Sequence, residues 1–161
     1  MINFKKILLN TLFFSSIGLN AASITSNFNV IVNVPDVCII STSPSDMNFG
    51  NYDVMSSTQL TSSTTFGIKC TDGTSYEMTI DKVSGSNERE MEDGNGNVIT
   101  YDLTYAADGL AWGWIGSGDE VFGDSISSLI EETYTINGTI PINQNVPSGS
   151  YSQTNTLNVV Y

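Results

Sequence analysis

Between Ser23 and Val34, the apolar residues Ile24, Phe28, Val30, Val32 and Val34 keep to one set of alternate positions. This is strand periodicity, because successive side chains of a β-strand point to opposite faces. Asn27, Asn29 and Asn33 mark the other face, Ser26 supplies a small group on the apolar side, and Ile31 is an apolar exception on the polar side. No Asn-Gly or Asp-Gly turn joins this run to the next one, and Pro35 interrupts the pattern before Cys38. The expectation is a strand without a hairpin partner, offered to another chain. Its register would be strict, since a slip of one residue turns every apolar side chain to the wrong face.

The rest of the sequence is also written in short alternating runs. Leu60, Thr64, Phe66, Ile68 and Cys70 share one face, as do Tyr76, Met78 and Ile80, then Ile99, Tyr101, Leu103 and Tyr105. Tyr134, Ile136, Ile140 and Ile142 follow, and Leu157, Val159 and Tyr161 form a last run. Between them lie turn signals such as Asp72-Gly73, Asp93-Gly94-Asn95-Gly96-Asn97, Asp108-Gly109, Gly116-Ser117-Gly118-Asp119 and Pro147-Ser148-Gly149. Short strands spaced by such turns predict an all-β sandwich of two antiparallel sheets. Residues 47–63 read as a Ser- and Thr-rich link around Phe49-Gly50-Asn51-Tyr52, and Ile126 to Glu132 has room for a short turn of helix. No internal repeat appears.

Composition narrows the setting. Residues 1–21 read as a cleavable export signal, with Lys5 and Lys6 ahead of a mostly apolar stretch from Ile7 to Leu19 and Ala21 or Ala22 at the cut. About 140 residues then remain, enough for one domain with a single core. Against 17 acidic side chains this leaves only Lys69, Lys82 and Arg89 as cations. Nucleic acid is therefore a poor partner, since binding it rests on clustered Lys and Arg. Cys38 and Cys70, the two cysteines, are expected to form one disulfide in an oxidising compartment. Such a bridge stabilises the fold by roughly 3 to 4 kcal/mol on the chain-entropy model. A catalytic thiol would lack a histidine to activate it, as the chain has none.

Other candidate chemistry is weaker. Asp93, Asn95 and Asn97 open like a calcium loop, but Val98 stands where a Gly is needed and Thr104 where a bidentate Glu should be, so a hairpin turn is the expectation and no metal is assigned. Trp112 and Trp114 share a strand face and would suit either sugar stacking or a sandwich core. Glu88, Glu90 and Glu92 alternate, and Glu131 adjoins Glu132, which raises a carboxylate pair for glycoside hydrolysis; solvated surface is the plainer reading. Asn137-Gly138-Thr139 fits a glycosylation sequon. We expect no catalytic residues, no cofactor and no enzymatic activity.

The segment Tyr134-Thr-Ile-Asn-Gly-Thr-Ile-Pro-Ile-Asn-Gln-Asn-Val-Pro-Ser-Gly-Ser-Tyr151, with the closing Leu157-Asn-Val-Val-Tyr161, resembles the end of spore coat protein U family domains. Cys38, Phe49-Gly50 with Tyr52, Cys70 before Thr71-Asp72-Gly73, Arg89 with Met91, Tyr101-Asp-Leu-Thr-Tyr105 and Trp112-Gly113 agree in order. The chain departs from the pattern at Gln153, where an acidic residue is usual, and at Thr139, where Arg is common.

That family includes subunits of archaic chaperone-usher pili. The resemblance implies an incomplete immunoglobulin-like domain, residues 35–161, whose missing strand is supplied by residues 22–34 of a neighbouring subunit through Ile24, Phe28, Val30, Val32 and Val34. It also implies a periplasmic chaperone that pairs with the C-terminal strand at Leu157, Val159 and Tyr161, and an outer-membrane usher. The expected function is a structural pilin exported through the periplasm to a cell-surface fimbrium, serving adhesion and biofilm formation. The alternatives are a secreted monomeric β-sandwich that binds carbohydrate or another surface ligand, and a coat component of the same family that forms no filaments.

Overall fold

The computed structural model describes residues 21–81, 89–113, 117–125, 127 and 129–161. The chain divides into two units, residues 1–33 and 34–161. Every described strand belongs to the second: β1 (Cys38–Thr42), β2 (Leu60–Cys70), β3 (Ser75–Ile80), β4 (Arg89–Glu92), β5 (Val98–Tyr105), β6 (Val121–Asp124), β7 (Glu132–Ile140) and β8 (Leu157–Val160). All ladders are antiparallel. One sheet has five strands in the order β1-β2-β7-β5-β4, and the other has three in the order β6-β3-β8. Among the described residues there is no helix long and apolar enough to cross a membrane.

The expected alternation builds the core. In β2, Thr64, Phe66, Ile68 and Cys70 are buried while Thr61, Ser63 and Thr65 face out; in β7, Tyr134, Ile136, Gly138 and Ile140 are buried and Thr133 and Asn137 exposed. These two strands pair from Leu60 opposite Ile140 to Ile68 opposite Glu132. That register sets Phe66 across from Tyr134, whose rings stack at 5.4 Å, a cross-strand pair of the kind that fixes sheets. Tyr76, Met78 and Ile80 close the core from the second sheet. Trp112 is 1% exposed and lies 6.0 Å from Phe66 and 5.6 Å, edge-on, from Tyr105. Its place is the core, just outside a strand rather than on one. Trp114 lies outside the described residues.

In the single chain residues 21–37 form no strand, since alternation alone makes no ladder without a partner. Other expectations are corrected. Pro141 ends β7, so Ile142 leaves the buried face and is 37% exposed, and Tyr161 lies one residue beyond β8 at 58% exposure. Two strands carry no alternation that announces them. β1 is an edge whose side chains are largely exposed, and β6 offers Gly123 toward the core, where any Cβ would meet the hydroxyl of Tyr134 and the ring of Tyr76. At the expected helical turn, Ile130 N donates to Ser127 O (3.1 Å); Ile126 and Ser128 lie outside the described residues, as do Glu88, Lys82, Gly116 and residues 1–20 of the export signal. The structure joins Cys38 to Cys70 in a disulfide.

Candidate functional site

The last strand has an open side. β8 pairs with β3, Leu157 opposite Ile80 and Val159 opposite Met78, and it stands at the end of its sheet with no described strand beyond it. Its Leu157 and Val159 are half-buried. An unpaired edge of this kind presents a row of main-chain donors and acceptors as a template for another strand.

Beside this edge the domain is cleft. A cavity of about 280 Å³ has Met91, Tyr101, Leu103 and Ile136 as its floor, with Ile80 and Leu157 on one side and Met47, Phe49 and Thr64 on the other. A wider, more open hollow of about 830 Å³ continues from it, sharing Met47, Phe49 and Met91 and running past Ile99 and Ile140 to Tyr151. The floor is thus the inner face of the five-stranded sheet. Its walls come from two irregular segments, residues 44–54 and 146–155, together with Ile80 of β3 and Leu157 of β8.

The first wall is pinned to β2 and β7. Thr64 Oγ1 donates to Ser45 O (3.0 Å), and Asn48 Oδ1 accepts from Gly50 N (2.8 Å), closing a turn in which Gly50 takes φ +74°. Gly50 can adopt that left-handed conformation because it has no Cβ. Gly138 leaves the space in which Met47 and Phe49 cross β7, since a Cβ there would run into both. Tyr52 Oη donates to Pro141 O (2.9 Å) and accepts from Gln144 N (3.0 Å). Gln144 in turn grips β5, accepting from Thr100 N (2.7 Å) and donating to Thr100 O (2.8 Å). We expect Gly138→Val to force Met47 and Phe49 aside and to destabilise the domain by about 1–3 kcal/mol, the usual range for overpacking. Urea titration checks this; an unchanged midpoint would mean the wall does not rest on that gap.

The second wall hangs on Arg89, the only arginine of the chain. Its side chain is 4% exposed and donates to Ile80 O (2.9 Å), Asp81 O (2.7 Å), Trp112 O (2.8 Å) and Asn155 Oδ1 (3.2 Å). Asn155 Nδ2 donates to Tyr101 Oη (2.7 Å), and Asp81 N to Thr156 O (2.9 Å), which carries the chain into β8. Burial pulls the Arg89 guanidinium below its ordinary pKa, with Tyr101 and the nearby Asp81 and Asp102 acting in the opposite direction. Sequence reading counted Arg89 among the few cations and among the residues that carry the family resemblance, and gave it no structural role. A lone arginine among Glu88, Glu90 and Glu92 was the available signal, and the β4 register turns it inward.

The remaining described candidates are each held by their own partners. Glu131 accepts from Ser41 Oγ (2.6 Å) and Thr42 Oγ1 (3.0 Å), whereas Glu132 accepts from Tyr76 Oη (2.7 Å) and Tyr134 Oη (3.2 Å). The two carboxylates therefore serve different partners. Burial pushes the Tyr134 hydroxyl up to about 12 and raises Tyr76 as well, so both stay protonated donors. Asp93 accepts from the backbone N–H of Asn95 (2.8 Å) and Asn97 (3.1 Å) and from Asn97 Nδ2 (2.7 Å), bonds that hold its carboxyl at about 2. It closes the β4–β5 turn. No group of three metal-ligating side chains occurs among the described residues.

Of the alternating run, Ile24, Phe28, Val30 and Val32 belong to the first unit and are between 84% and 98% exposed, while Val34 begins the second unit and is 70% exposed.

The family model for the Spore Coat Protein U domain matches residues 24–158. A solved structure of similar fold is the CsuC-CsuE chaperone-tip adhesion subunit pre-assembly complex from archaic chaperone-usher Csu pili of Acinetobacter baumannii. The likeness has a TM-score of 0.56 at 20% identity and covers 80% of this chain and 40% of that one. This chain therefore spans less than half the length of the chain it matches there. No curated protein matches the sequence.

Proposed function

The chain belongs to the spore coat protein U domain family, and on that premise we propose that it is a structural subunit of an archaic chaperone-usher pilus, polymerised by donor-strand exchange. The observation that carries this reading is the open edge of β8 beside a cleft floored by apolar side chains. The chain also possesses a segment of the right chemistry to fill such a cleft in another copy, with five apolar side chains on one face and exposed. Residues 22–34 are then the donor, and residues 35–161 the acceptor domain.

Burying those five side chains is worth a gross ~8 to 15 kcal/mol, as much as the net stability of a typical domain, ~5 to 15 kcal/mol. Ordering a dozen residues opposes it by a similar amount. The surplus comes from the main-chain ladder along β8 and from the fit of the apolar face. An empty subunit is accordingly marginal and sticky, which is why a periplasmic chaperone would hold β8 at Leu157 and Val159, with Tyr161 just past the strand, until an outer-membrane usher brings the next donor. The assembled product stands on the cell surface and supports attachment and biofilm growth.

The test is to express the mature chain with and without residues 22–34 and run both on unheated denaturing gels. Ladders that require the segment are expected. A single monomeric band from both would overturn the proposal in favour of a closed, secreted sandwich.

A further inference from the structure

We propose that Thr71 is a positioning residue that straps the root of the donor to the domain, leaving successive subunits joined at a stiff junction with almost no hinge. The inference rests on the donor-strand reading and adds to it how one copy of this chain is held against the next.

The strap is built from one turn. Thr71 Oγ1 donates to Pro35 O (3.1 Å) and accepts from Val37 N (3.2 Å), which uses a hydroxyl as both donor and acceptor. Thr71 N donates to Val37 O (2.9 Å), and Thr74 Oγ1 to Asp36 Oδ1 (3.3 Å). Residues 35, 36 and 37 are thus each tied to the 71–74 turn, and residue 38 is tied covalently through the Cys38–Cys70 disulfide.

The turn itself is anchored on its far side. Gly73 N donates to Ser125 O (2.9 Å), Ser125 N to Thr74 O (2.9 Å), and the buried Ser125 Oγ to Cys70 O (3.2 Å). Thr71 therefore stands on a platform fixed to the end of β6.

On the other side of the strap the chain is stiff by its chemistry. Pro35 fixes its own φ, and it confines Val34 to extended conformations. Val34 is the last apolar position of the donor, so under the donor-strand reading it is seated in the neighbouring copy. No flexible Gly/Ser spacer intervenes of the kind that lets linked domains swing freely. Three extended residues span at most about 10 Å. The end of the domain that carries the 71–74 turn must then lie close against the neighbour that receives the donor.

The test images filaments assembled from the full mature chain and from its Thr71→Val, Thr71→Ser and Pro35→Gly variants, reading the bend angle between successive subunits. Thr71→Val is expected to ladder on gels like the parent, with a broadened bend distribution and a severalfold shorter persistence length. Thr71→Ser, which keeps the hydroxyl, should restore stiffness, and Pro35→Gly should loosen the junction with Thr71 intact. Amide exchange at Val37 should quicken in Thr71→Val while the β2–β7 amides stay protected, a readout available in the unassembled subunit. Ladders with unchanged bend angles in both Thr71→Val and Pro35→Gly would overturn the strap alone. Absence of ladders from the parent chain would overturn the donor-strand reading and this inference with it.

Discussion

Replacing Val30 and Val32 together by Asp will abolish assembly while leaving the unassembled domain as stable as before. In the single chain both side chains are at least 85% exposed, so their loss removes no packing, and exposed substitutions of this kind stay within about 0.5 kcal/mol. In a neighbour's cleft the same change forfeits about 1.5–3 kcal/mol of burial at each site. Two sites amount to roughly a hundred- to ten-thousandfold in occupancy before the penalty of a desolvated carboxylate is added. The measurement is an unheated gel of assembled material beside a thermal melt of the unassembled subunit: ladders should vanish and the subunit's melt should not move. Asn29→Asp with Asn33→Asp, on the opposite face, supplies the control and should ladder normally. Persistence of ladders in the Val30, Val32 double variant would mean that this face does not enter the neighbour.

Arg89→Met should be the most damaging single change inside the domain, lowering its stability by about 3–5 kcal/mol in urea titration. Removing the guanidinium orphans the carbonyls of Ile80 and Trp112 in a buried setting and releases Asn155. An unsatisfied buried acceptor costs about 1–3 kcal/mol, so a thioether of similar length does not compensate. Because Asn155 precedes Thr156 and β8, the cleft wall should loosen too, and the variant should ladder poorly even where it folds. Arg89→Lys keeps the charge but not the fork that reaches several acceptors at once, and an intermediate loss is expected. A urea midpoint for Arg89→Met equal to the parent's would show the network to be idle.

What could be read in the sequence follows from which faces are wet. β2, β5 and β7 each bury one face and leave the other wet or half-wet, so their alternation is visible in residues such as Phe66 against Thr65 or Ile136 against Asn137; β3 keeps the same pattern in Tyr76, Met78 and Ile80 although Thr79 between them is buried too. β1 hides little, and β6 gives the core only Val121 and Gly123, so neither leaves a pattern. The floor of the cleft was legible because Tyr101, Leu103 and Ile136 are ordinary inward strand residues. Its walls were not. Met47 and Phe49 sit in an irregular segment whose course depends on the missing side chain of Gly138, a contact between distant parts of the chain. The role of Arg89 was not legible for the same kind of reason: its partners are mostly main-chain carbonyls, and composition carries no trace of them. The alternation of residues 24–34 is the opposite case, a strand spelled out in a chain that does not by itself form it.

The Cys38–Cys70 bridge also decides where tension goes. β1 pairs only with β2, so a pull from the N-terminal side would otherwise peel this margin away bond by bond. The covalent crossing transmits the force past it, directly into the end of β2, which β7 grips from Leu60 to Ile68. Toughness under traction is thereby set by the longest ladder among the described residues and not by the short β1 margin, and a reduced copy would fray at a force its oxidised sibling withstands.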